Sequence, residues 1–163
     1  MDRDPVEHLC SILAEETRVC GDLAGVLREE QRAVTGLRAD AILACVVECH
    51  ALQDRLLRLA GARRALIQTI STAHGATAAR ALEVLPLLRA ESQSRVRAHL
   101  RALRRALLET RRLERQNAHL AGASLDTVSD LLRALRALVP GAGHGADAHV
   151  AVPLAAERVD RPA

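Results

Sequence analysis

Between Arg95 and Leu138 the chain runs without a proline and with one glycine, Gly122. Arg, Ala, Leu and Glu, all strong helix formers, dominate the stretch. Val96, Leu100, Leu103, Leu107, Leu120, Val128, Leu131, Leu135 and Leu138 recur at three- and four-residue steps, the spacing of one helix face. At 1.5 Å per residue such a helix is about 65 Å long. A helix of that length is stable only with apolar partners along it. The rest of the chain has to supply them, or another protein does.

The 163 residues include no Phe, Trp or Tyr, so the core has to be built from Leu, Val, Ile and Ala. Aliphatic side chains on a helical period suit helix-on-helix packing and argue against a β-sandwich or an aromatic-lined pocket. Single-stranded nucleic-acid binding loses its usual stacking platforms for the same reason. All 23 basic side chains are Arg, and a formal net charge of +3 does not demand a polyanionic partner. The start, Met1-Asp2-Arg3-Asp4-Pro5, leads into no signal-like apolar run, and Ala41–Val47 is far too short to span a bilayer. The expectation is a cytoplasmic protein without membrane insertion.

Two further helices precede the long one. Asp4 and Pro5 form a helix start, and Val6, Leu9, Leu13, Cys20, Leu23, Leu27, Val34 and Leu37 keep a heptad rhythm behind them. Residues 36–40 read as a tight connection, with Asp40 as the N-cap of a second helix reaching about Ile70. Its seam is Ile42, Val46, Cys49, Leu56, Ala60, Ile67 and Ile70. A break at His74-Gly75 and a short helical piece over 78–85 lead to the long helix, for which Pro86, Ser92 and Ser94 are alternative starts. The expected fold is all-α: an elongated antiparallel bundle or coiled coil of three main helices plus a short one over residues 1–139, with a flexible C-terminal tail over 140–163.

A short link makes the first two helices antiparallel, so residues whose numbers sum to about 79 share a layer. This places Glu16 beside Arg63, and Glu30 beside Cys49 and His50. An acid–base pair is expected in each layer. These pairs either sit solvated at the seam's edge or fix its register. Neither has a nucleophile and base nearby, so no catalytic residue is assigned. Cys45, Cys49 and His50 share a helix face, but the four cysteines read as small buried hydrophobes; no metal or cofactor is expected.

The adjacent pairs Leu131–Leu132 and Leu138–Val139 broaden the apolar face near the end of the long helix. That helix exceeds the reach of its neighbours, which leaves part of its face for an amphipathic helix from elsewhere. Asn117, Leu120, Leu125, Val128, Leu131, Leu132, Leu135 and Leu138 are the candidate partner-binding residues. Self-association into a homodimer, or burial inside the bundle, is the competing account of the same stripe. The arginines between Arg95 and Arg115 outnumber Glu109 and Glu114, but acids of the first helix can offset them, and no nucleic-acid motif is present.

Several short motifs occur in a telling order: Glu30-x-x-Ala33-Val34, the Asp40 turn, Cys49-x-x-Leu52, Arg63-x-x-Leu66 and Leu113-x-x-x-Asn117-x-x-Leu120. From Leu9 to Leu138 this order resembles the flagellar export chaperones of the FlgN type. Such proteins tend to carry a Lys near the position of His50, a second Asn where this chain has Glu114, and a C-terminal Tyr that is missing here. The resemblance implies a cytoplasmic, non-enzymatic type III export chaperone. It would hold the terminal helices of hook–filament junction proteins, FlgK and FlgL, and deliver them to the export gate. A structural coiled-coil adaptor without a secretion role is the alternative.

Overall fold

The structure is a computed structural model that describes residues 4–78 and 80–138, the last two by backbone only. The expected tail, 140–163, and the side chain of Leu138 lie outside the described residues. Helix α1 spans Pro5–Thr35, α2 Ala39–Ala73, α3 Ala81–Val84 and α4 Ala90–Leu138. A 3₁₀ turn, Leu85–Leu87, lies between the last two, and no strand occurs among the described residues. The chain divides into two compact units, 1–126 and 127–163.

The first unit is a three-helix bundle. α1 and α2 form an antiparallel hairpin. Contacts from α1 to α4 rise together in number on both helices, from Glu7–Arg95 through Cys20–Thr110 to Leu27–Asn117, so these two run parallel. α1 is the central element. Leu9, Leu13, Val19 and Cys20 are wholly inaccessible, and eleven of its 31 residues are buried. α2 buries only Cys45, Cys49, Ile67, Ile70 and Ser71 of its 35, because it faces the bundle on one side alone.

α3 and the 3₁₀ turn seal one end. Val84, Leu85 and Leu88 join Leu9, Leu13, Ile67, Ile70, Val96 and Leu103 in one apolar cluster. A second cluster, Leu23, Ala24, Leu27, Cys49 and Leu113, fills the other end. Pro86 falls inside the 3₁₀ turn, and α4 begins at Ala90, ahead of both Ser92 and Ser94. The residue after the turn is tied to the new helix: the Gln93 side chain donates to the Leu88 carbonyl at 2.9 Å.

The helix ends follow capping chemistry with two departures. Asp4 Oδ1 accepts from the Val6 N–H at 3.0 Å, the expected N-cap. Asp40 is not the cap of α2; Arg38 holds that position and Asp40 lies in the first turn, where its charge favours the helix dipole. The cause is the way α1 stops. Arg38 N–H bonds the Ala33 carbonyl and Leu37 N–H the Val34 carbonyl, a Schellman closure. It puts Leu37, not Gly36, in the left-handed region at φ 52°. The heptad rhythm makes Leu37 the last seam position of α1, yet it is exposed in the turn. The corresponding stop after α2 uses Gly75 at φ 65°, and buried Ser71 secures it by donating to the Ala76 carbonyl and accepting from the Ala78 N–H, both at 2.7 Å.

Two predictions follow from this architecture. Leu37→Gly removes the left-handed strain and sacrifices little burial, so it should raise stability by about 1 kcal/mol in urea unfolding. The second concerns Glu16, which is buried and accepts from Arg63 Nη1 at 2.6 Å. Burial pushes its carboxyl above the usual range, and Arg63 opposes that shift without cancelling it. Arg63→Met leaves the carboxylate alone in the seam and should cost about 3 kcal/mol at neutral pH. A carboxyl with a raised folded-state pKa favours folding below its unfolded value of 4.5 and loses that contribution as pH rises through the folded value. The deficit of Arg63→Met should therefore shrink as the pH of the unfolding titration is lowered toward 4.5.

Candidate functional site

α4 changes character along its length. Val96, Leu103, Thr110, Leu113 and Asn117 are buried against α1 and the end-sealing segment. The steps between them are seven, seven, three and four, a heptad seam. From residue 121 to 136 no side chain is buried. The apolar period nevertheless continues through these residues, so the helix keeps a face that the described chain does not cover.

The expected partner-binding residues separate accordingly. In the first unit Asn117 is buried, Leu120 half-buried and Leu125 exposed at 71 %. In the second unit Val128, Leu131, Leu132 and Leu135 are each exposed by 46 to 59 %. A leucine normally surrenders that surface to a core, at about 25 cal/mol per Å². Helical spacing puts Val128, Leu131, Leu132 and Leu135 on one side of α4, with Arg133 ion-paired to Asp130 on another at 2.7 Å.

Asn117 serves the chain's own architecture. Its Nδ2 donates to the Leu27 carbonyl at 2.8 Å and to Glu30 Oε2 at 2.6 Å, and two acceptors on one side fix the amide's orientation. Its Oδ1 has no hydrogen-bond partner among the described residues. This corrects the expected Glu30–His50 pair. Two-helix arithmetic could not include α4, which brings Asn117 to Glu30, while His50 stays exposed and has no ion pair among the described residues.

The remaining titratable groups support structure. Glu109 lies between Arg112 and Arg28, and their hydrogen bonds pull its carboxyl down to about 2. Glu15 is held low first by Arg18, which also reaches Asp22, and then by Arg55. All four thiols are buried, and desolvation raises their pKa, that of Cys49 to about 11. A thiol held protonated is a poor metal ligand and a poor nucleophile. Among the described residues no three His, Cys, Asp or Glu side chains are grouped to hold a metal, and no helix is long and apolar enough to cross a membrane.

One apolar feature lay outside the expected residues. Leu57, Leu82 and Leu108 are more than half exposed, and Leu107, placed on the seam, is 38 % exposed. The adjacent pairs Leu56–Leu57 and Leu107–Leu108 carried the same broadening signal as Leu131–Leu132.

A helical bundle with a bare leucine–valine face on one long helix falls in the class of helical chaperones and adaptors. A comparison with protein families then narrows it. The family model described as "FlgN protein" matches residues 1–143, and the chain belongs to this family of flagellar export chaperones. Membership gives it a role in type III export during flagellum assembly and hook-associated proteins as its general class of partner. No curated protein and no solved structure matches the chain significantly.

The Asn117 junction yields a direct test. Asn117→Asp sets a carboxylate against Glu30 and the Leu27 carbonyl and should cost more than the roughly 2 kcal/mol expected for Asn117→Ala. Adding Glu30→Gln to Asn117→Asp should restore part of the loss, measured as a double-mutant cycle by chemical denaturation.

Proposed function

We propose that this chaperone works in the cytoplasm on the hook–filament junction proteins, FlgK- and FlgL-like clients, and carries them to the export gate. The client's terminal amphipathic helix lies along Leu120, Leu125, Val128, Leu131, Leu132 and Leu135 and extends toward Leu138, and α4 replaces the client's own polymerisation partner. The observation that supports the reading is the uncovered run of α4: an apolar period persists where no residue is buried. A helix laid in this way is recognised by its i, i+3, i+4 and i+7 anchors. Keeping a client from self-associating requires the face to be occupied, not an extreme affinity.

The test is capture of the last helix of a FlgK-like protein by the purified chain, read by isothermal titration. Val128→Asp, Leu131→Asp and Leu135→Asp together should weaken capture about a hundredfold or more, with circular dichroism and melting little changed. Unfolding of that variant, or unaltered capture, would overturn the assignment. A tight homodimer that ignores the client helix would support the adaptor reading instead.

A further inference from the structure

Within the bundle, well before the proposed client face, a second apolar surface lies open. One cavity of about 670 Å³ is floored by Leu82, Leu85, Leu100, Leu103, Leu107 and Leu108 from α4 and the end-sealing segment. A neighbouring cavity of about 460 Å³ shares Leu103, Leu107 and Arg111 with the first and reaches Leu56, Leu57 and Ala60 on α2. The two join into one groove, open to solvent along exposed Leu57, Leu82 and Leu108.

Four arginines and no acid line the first cavity, while Glu16, Arg63 and Glu114 stand among the lining of the second. The four are Arg97, Arg101, Arg104 and Arg111, spaced four, three and seven residues apart, so they form a row beside the leucines on the same helix. Of the nearby acids, Glu114 lines the second cavity but lies outside ion-pair distance of these arginines, while others are engaged elsewhere. Glu7 holds Arg95, Glu109 holds Arg112 and Arg28, Glu15 and Asp22 hold Arg18, and Glu16 holds Arg63. None of Arg101, Arg104 and Arg111 has an acidic partner within ion-pair distance among the described residues. Arg97 reaches only the Gln93 amide oxygen, at 3.4 Å.

We propose that this groove is a second docking site, distinct from the face at Val128–Leu135, and that it takes an acidic amphipathic helix of a partner protein. The leucine floor receives the apolar seam of that helix, and the arginine row meets Glu and Asp on its flank. From Arg97 to Arg111 the row covers about 21 Å, four helical turns, which sets the length of the segment it recognises. A nucleic acid would use the arginines but leave the leucines wet. A second copy of this chain would bring its own arginine row against the first, like charge on like. An acidic helix satisfies both features together. Guanidinium groups also suit carboxylates through paired N–H donors.

The experiment uses the full chain and three fluorescein-labelled helical peptides of 14 to 16 residues, a length of about four turns. They share one Leu seam and carry Glu, Gln or Lys on the flanks, and binding is read by anisotropy. The Glu peptide should bind about tenfold tighter than the Gln peptide, the Lys peptide weakest, and the gap should narrow at high salt. Leu57→Glu and, separately, Arg101→Gln with Arg104→Gln should each weaken the Glu peptide about tenfold; all three positions are exposed, so folding should survive and circular dichroism checks it. The Asp triple variant at Val128, Leu131 and Leu135 should bind the Glu peptide as the unaltered chain does. Equal binding of the three peptides, or indifference to both groove variants, overturns the proposal. So does equal displacement by a single-stranded oligonucleotide of the same charge, or a dimer in sedimentation that Leu57→Glu dissolves. Loss of Glu-peptide binding in the triple variant would merge the two sites into one and overturn their distinctness.

Discussion

The structure depends on α1 being buried on two sides. With no aromatic side chain available, each contact between helices has to be made by Leu, Val, Ile, Ala and Cys, and such contacts accumulate only when a helix is lined for much of its length. α1 meets that demand with eleven buried residues, facing α2 on one side and α4 on the other. Helices α2 and α4 are each covered on one side. The exposed apolar residues of the outer bundle helices, Leu43 and Val47 on α2 and Leu107 and Leu108 on α4, are by-products of that arrangement.

A three-helix unit with one central member leaves its outer members with spare surface, the kind of surface that the proposed capture of a client helix requires. A protein that holds sticky helices has to present leucines without collapsing onto itself. This chain reconciles the two by concentrating its polar fasteners on the inner seams. Arg63 and Glu16 tie α1 to α2, Arg28 and Glu109 tie α1 to α4, and Asn117 closes onto Leu27 and Glu30. The outer apolar rows carry no such obligation.

The heptad rhythm made the number of helices, their order and the hairpin arithmetic legible from residues alone. The Glu16–Arg63 layer follows from that arithmetic, because both residues belong to the helices joined by the short turn. Glu30 does not, because its partner Asn117 lies 87 positions away on a helix whose lateral placement no spacing reveals. The helix boundaries escaped for a different reason. Asp40 and the two serines have capping side chains, but the Schellman closure at Leu37 moved the start of α2, and α4 begins at Ala90, ahead of both serines. On α4 the apolar period was plain throughout, yet period alone does not separate a covered stretch from a bare one. The arginine-lined groove was hidden for that reason: its leucines belong to the same rhythm as the core.

The polar contacts between α1 and α4 also limit how these two helices can slide past each other. Thr110 at Cys20 and Asn117 at Leu27 and Glu30 are matched at two levels of the same interface. Sliding α4 by one turn past α1 would break the Asn117 contacts to Leu27 and Glu30, whereas Thr110 would keep its bond to the Ala106 carbonyl of α4 itself. The Asn117 contacts therefore hold α4 in register against α1.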